Sequence, residues 1–167
     1  MDDLIERFGH ASEAFRAVRG RVVAGEPWPL SVAYGTEPES DWGPKETIAH
    51  VNEMIPYWLG QIDRILATDG PEAVPFGRVM SDASRIERIG RDRERPASEL
   101  FDRVDDDVAS ATGRLRELSA DDAARVGLHA RLGEMTVAAI VERFVIHHLE
   151  EHTRQLGEIV DAAAHDD

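Results

Sequence analysis

Two stretches of the chain repeat apolar residues at alternating spacings of four and three. Leu4, Phe8, Ala11, Phe15, Val18 and Val22 form one seam, and Phe101, Val104, Val108, Ala111, Leu115 and Leu118 form another. At ~100° per residue such a series stays on one face of an α-helix, and it suits the seam of a packed bundle. A third apolar face runs through Ile48, Val51, Ile55, Trp58, Leu59, Ile62 and Leu66. A fourth long helix ends the chain, with Phe144, Val145, Leu156 and Ile159 on one side. No strand pattern competes with these. Four long amphipathic helices predict an all-α four-helix bundle with long loops and a short extra helix.

The boundaries follow from capping and punctuation. The first helix is expected over 2–24, followed by a long loop dense in Pro, Gly and Ser to residue 43. Trp28 and Trp42 are large apolar side chains for a loop, so parts of it should fold back onto the body, and a lid is one reading. Gly43 can cap the second helix, with Pro44 at its first position and Glu46 adding negative charge to its first turn. Pro56 inside that helix should kink or loosen it, because it removes the bond to residue 52. Between 69 and 96 the pattern is unclear beyond a short, highly charged helix. The third helix is expected over 97–118, a short capped turn at 119–127 and a loop over 127–135. Thr136 is a good N-cap for the last helix, which should run to 163.

With 167 residues the chain is long enough for one domain over 1–167, and 42% hydrophobic content supports a core that buries roughly 70% of the unfolded surface. There is no cysteine, which excludes disulfides, thiolate metal sites and a cysteine nucleophile, and fits a reducing compartment. The net charge of −14, from 33 acidic and 19 basic residues, argues against nucleic acid or an anionic membrane as partner. No run approaches the ~20 apolar residues of a membrane span and the N-terminus has no apolar signal core, so a cytoplasmic protein is expected. Lys45 is the single lysine, which points to a GC-rich coding genome.

Two charged groups invite a functional reading. Arg85, Arg88, Arg91, Arg93 and Arg95 could recognise an anionic ligand, but interleaved acids favour a solvated face. Asp105, Asp106 and Asp107 diverge by ~100° per residue, so they cannot share one cation well and are expected to be solvated.

The histidines carry more. His148 and His152 are one helical turn apart on the apolar side of the last helix, and buried polar groups need partners. His50 lies early in the second helix, off its apolar centre, on the flank with Met54, Tyr57 and Gln61. Spacing alone leaves two readings open: three imidazoles converging on a metal ion, or core histidines with hydrogen-bond partners. The HLEEH segment lacks the glutamate directly after its first histidine that a zincin helix needs. His147 is ~100° away from His148 and so faces elsewhere. His10 is expected on the surface, His129 in a loop and His165 in the tail. Gln155 and Glu151, and with less support Glu53, could orient a ligand from behind.

Trp42 with GPKETIAH leading to His50, and His148-LEE-His152 followed by TRQL, resemble the DinB/YfiT-like superfamily in order and spacing. The likeness spans all four helices, including the Gly133-Glu-Met-Thr lead-in to the last. The resemblance implies four-helix bundles of unusual up-down connectivity, often dimeric, with a divalent metal on three histidines, here His50, His148 and His152. Zinc or nickel leads among the metals that suit neutral imidazole.

Some members of that family are thiol transferases that use bacillithiol or mycothiol, and a related branch includes a mycothiol-dependent maleylpyruvate isomerase. The implied function is a metal-dependent transferase acting on a small electrophile with a low-molecular-weight thiol, mycothiol fitting the GC-rich composition. The alternatives are a metal-dependent hydrolase and a non-catalytic bundle that binds metal or a small ligand. A homodimer is implied by the resemblance, and Trp28 and Tyr34 are compatible with it.

Overall fold

A computed structural model describes residues 1–32, 39–70 and 72–165. Helix α1 (Asp2–Ala17) gives way at Val18 to the short α2 (Arg19–Ala24), so the single helix expected over 2–24 is interrupted. Val18 stays near helical geometry, at φ −81° and ψ −13°, and Val22 still reaches the core. Helix α3 (Pro44–Ala67) starts as anticipated, with Gly43 extended at the N-cap and Pro44 in the first turn. Helices α4 (Ala83–Asp92), α5 (Ala97–Arg116) and α6 (Ala120–Ala124) follow. The side chain of Asp82 caps α4, and a reciprocal Ser119–Asp122 capping box opens α6.

The last helical stretch has three parts: α7 (Val137–Ile140), a π-helical segment (Val141–His147) and α8 (His148–Ala163). Thr136 caps α7 by accepting from the Ala139 N–H at 3.1 Å. α1 packs on α5 and α8, and α3 packs on the same two, so the ring order is α1–α5–α3–α8. Long helices consecutive in sequence, α1 then α3 and α5 then α8, therefore sit across the diagonals.

One continuous core joins them. Phe8, Phe15, Ile55, Phe101, Leu115 and Leu156 are each nearly or fully buried in it, and each such side chain contributes about 1.5–3 kcal/mol of transfer free energy. The rings of Phe15 and Phe101 pack 5.3 Å apart.

The stretch expected to be a loop over 127–135 is a β-hairpin, a correction to the strand-free reading. β2 (Val126–His129) pairs antiparallel with β3 (Gly133–Thr136), and β1 (Val74–Phe76) adds alongside β2 in parallel. These strands are only three or four residues long, too short for a period of two to stand out. The hairpin lies against α3: a Cβ on Gly127 would come within 2.6 Å of Ile65 Cδ1. Arg125 donates to the Ile65 carbonyl at 3.2 Å, and the Val137 N–H donates to the Arg125 carbonyl at 2.8 Å. The sheet thus ties the end of α3 to the start of the helical stretch that carries two of the expected site histidines.

Candidate metal centre

α8 presents a buried stripe of Leu149, His152, Leu156 and Val160. His152 is 4% exposed and points inward as expected, whereas the His148 side chain, 22% exposed, lines the edge of a cavity. Phe144 and Ile159, expected to be buried with them, are half-buried. The π segment explains the phase error at Phe144. Val141 and Ile146, five apart, are both fully buried, and a π turn absorbs the extra residue that a 3.6-residue wheel cannot place. His147 faces solvent, with Nε2 3.4 Å from Glu151 and Nδ1 3.6 Å from Glu150.

His50 is 2% exposed despite its position off the apolar seam. The N-terminal half of α3 is covered on every side, so the wheel has no solvent flank there: Pro44 through Ile55 are all buried. Trp42, Ala49 and Ile89 of α4 make a second small apolar cluster on the side that seemed free. The helix runs through Pro56 to Ala67, so the burial of His50 follows from this cover and requires no break at the proline.

These elements bring His50, His148 and His152 together. The ring centroids of His50 lie 5.1 Å from those of both His148 and His152, and the latter two are 4.7 Å apart. The Nε2 atoms of His50 and His148 are 3.3 Å apart. Glu39 joins them from a short 3₁₀ turn (Glu39–Asp41), its Oε2 being 3.8 Å from His148 Nε2 and 3.9 Å from His152 Nε2. One donor atom from each of the four residues falls within 4.8 Å of the others. Donors at ~2.0–2.2 Å from a common ion would be separated by roughly 3–3.5 Å, only slightly less than several of these spacings.

Surrounding contacts hold His152 and Glu39 in place and flank His50. His152 Nδ1 is 2.9 Å from Gln155 Oε1, and Gln155 Nε2 donates to the Glu39 carbonyl at 2.8 Å. The second bond fixes the amide's orientation, so Nδ1 of His152 carries the proton and Nε2 is a bare acceptor. Behind His50, Nδ1 is 3.5 Å from Glu53 Oε2 without the alignment of a hydrogen bond, and Glu53 pairs with Arg78. Arg85, 3% exposed, pairs with Glu39 and donates to the Met80 carbonyl at 3.0 Å. Its guanidinium lies 5.2 Å from the Trp42 ring, and Trp42 meets His50 edge-on at 5.4 Å.

Burial keeps two of the imidazoles, those of His50 and His152, neutral. Burial, and then the neighbouring charge of His148, push His152 down to about 4. Burial followed by His148 and His152 drives His50 well below the ordinary histidine range. Burial would raise the Glu39 carboxyl, but the hydrogen bond from His148 and the nearby positive charge, that of Arg85 included, outweigh it and hold it below the ordinary carboxylate range. Neutral imidazoles and an ionised carboxylate are the protonation states that bind a divalent cation. His152 Nε2 is moreover buried with no hydrogen-bond partner, a deficit of about 1–3 kcal/mol that a ligand could relieve. On both counts the donor set fits a metal ion. Beside it opens a cavity of about 50 Å³, bordered by Trp58, Arg78, Val79 and Met80, room for water-sized groups.

Gln155 and Glu53 stand behind ligand candidates as anticipated, but Glu151 is exposed and engages His147 instead. His129 belongs to β2, where its ring packs on Phe76 and Phe144 and its Nδ1 accepts from the backbone of Arg131 and Leu132. His10 and His165 are exposed. Asp106 is solvated, while Asp105 pairs with Arg16 at 2.8 Å.

The arginine-rich helix is not the solvated face that charge pattern suggested. Arg91 and Arg95 are exposed, yet Arg85 is buried and Arg88 donates to the Asn52 carbonyl at 3.1 Å. Both Trp28 and Trp42 fold back, Trp28 donating to the Val22 carbonyl at 2.7 Å; Tyr34 lies outside the described residues. Sequence reasoning missed Glu39 and Arg85 at the centre. Glu39 carries no local signal beyond its place just before Trp42.

The fold and site together define a helical bundle with a small three-stranded sheet and a largely buried histidine–carboxylate cluster that could hold a metal ion. The family model of the DinB superfamily matches residues 3–156, and the chain belongs to that superfamily. No curated protein and no solved structure matches it. Among the described residues no helix is long and apolar enough to cross a membrane.

Proposed function

We propose that His50, His148 and His152 hold a divalent metal ion, zinc or nickel, and that the protein is a metal-dependent transferase joining a small thiol to a small electrophile. The observation that carries this is the orphaned Nε2 of His152, buried and bare, facing the same small space as His50 and His148. An ion bound there would supply positive charge that stabilises a thiolate near neutral pH. The chain contributes the rest. Gln155 sets the tautomer of His152 and Glu53 faces the outer nitrogen of His50. Trp58 and Met80 border the cavity with apolar side chains, against which the reacting end of an electrophile could rest. With no cysteine in the chain, the sulfur nucleophile has to arrive with a cosubstrate such as mycothiol.

The test is metal analysis of protein purified without a histidine tag, followed by thiol-consumption assays against a panel of electrophiles. Stoichiometric metal with thiol turnover is expected. Metal without thiol turnover would favour a hydrolase or a non-catalytic binding bundle, according to whether ester or amide substrates are cleaved. Absence of metal, with His148→Ala leaving the melting temperature equally unresponsive to added zinc or nickel, would overturn the reading.

A further inference from the structure

We propose that Glu39 is a fourth, exchangeable donor at this centre, holding the position that an incoming thiolate takes. The inference rests on the metal reading above and concerns a residue from a different part of the chain. The two oxygens of Glu39 are divided between two tasks: Oε1 pairs with Arg85, while Oε2 faces the Nε2 atoms of both His148 and His152. The turn that carries it is fixed from two further sides. Gln155 donates to the Glu39 carbonyl while accepting from His152, so one amide positions two of the four donors. The Glu39 carbonyl also accepts from the Trp42 N–H at 3.1 Å, and Trp42 packs edge-on against His50. A carboxylate held by Arg85 on a turn anchored through its backbone, and facing two imidazole nitrogens, is placed as a donor.

Arg85 makes the donor exchangeable. A carboxylate released in a half-buried site would normally be an uncompensated charge. Here the buried guanidinium remains as its partner, so release needs only a small swing of the side chain. The exchange would conserve the charge on the ion's donors: the Glu39 carboxylate moves aside to Arg85 and a thiolate, its proton released to solvent, takes its place, one donor bond breaking as one forms. A neutral ligand would leave the ion with no anionic donor, so the exchange favours a thiolate over a neutral thiol or alcohol.

The test replaces the metal with cobalt(II) and reads its visible spectrum in wild type, Glu39→Gln and Glu39→Ala, with thermal melts to verify folding. Both variants should bind cobalt more weakly, by at least the roughly 10- to 100-fold that removing an outer-shell partner costs, with an altered spectrum. Acetate should restore the wild-type spectrum to Glu39→Ala and leave wild type unchanged. 2-Mercaptoethanol should produce a sulfur-to-cobalt charge-transfer band at lower concentration in Glu39→Ala than in wild type. If all three proteins bind cobalt alike, with the same spectrum and the same response to thiol, Glu39 is not a donor and the three-histidine centre stands without it. If wild type binds no cobalt, the metal reading fails and this one with it.

Discussion

Gln155 Oε1 lies 2.9 Å from Nδ1 of His152, and the same amide donates 2.8 Å to the backbone of Glu39. One side chain on α8 therefore aligns an imidazole of its own helix with a turn more than one hundred residues earlier in the chain.

Gln155→Leu is expected to weaken metal binding by roughly 10- to 100-fold, the usual effect of losing the partner that orients a ligand. Gln155 is only half-buried, so the unfolding free energy of the metal-free protein should move by no more than about 1 kcal/mol. Calorimetric metal titration beside a thermal melt separates the two effects. An unchanged metal affinity would remove Gln155 from the centre.

The metal-free protein should lose stability as the pH falls from about 6.5 toward 4. His152 sits at about 4 when folded, against about 6.5 in an unfolded chain. Over that interval the unfolded state binds more protons, so unfolding becomes easier on acidification. The contribution of His152 is fully present above pH ~6.5 and amounts to roughly 3 kcal/mol, with His50 acting in the same direction. Urea denaturation of the metal-free protein at a series of pH values measures the slope. His152→Leu should be more stable than wild type at pH 5, show a shallower slope and lose any melting-temperature gain on metal addition. A slope unchanged by that substitution would show that His152 is not held neutral by the fold.

Single-residue deletions should distinguish the π segment from the helix that follows it. A π turn accommodates one extra residue over nearly the same axial span, so deleting the exposed Arg143 should restore an α turn and leave α8 in place. Metal binding is expected to survive. Deleting the exposed Glu151 instead turns His152 by ~100° relative to His148 and should abolish binding. Circular dichroism confirms helicity in both cases and metal titration reads the outcome; equal loss in the two would show that the π segment has no slack.

The parts of this protein legible in its sequence are those written in local periodicity. The seams through Phe8 and Phe15, through Ile48 and Ile55, and through Phe101 and Leu115 specify helices that must bury one face, and these residues form the core. Pro44 and Thr136 mark helix starts because capping is decided within a turn. Periodicity failed where the local rule was not the deciding one. The wheel put His50 on a flank because it assumes that the side opposite the seam is wet, whereas Trp42 and α4 cover it. It put Phe144 with the ligand face because it assumes 3.6 residues per turn through a π segment. Family resemblance, not spacing, brought His50 together with His148 and His152.

The sequence by itself determined the helical bundle, its caps and the pair His148 and His152, since each depends on residues within a few turns of one another. Tertiary structure alone decided that Glu39 meets that pair, that Arg85 is buried against it, and that the hairpin joins α3 to the start of the last helical stretch. The physical reason is separation along the chain. Glu39 and His152 approach through the packing of α3 and α8 and the fold-back of Trp42, and no pattern within either segment encodes that distance.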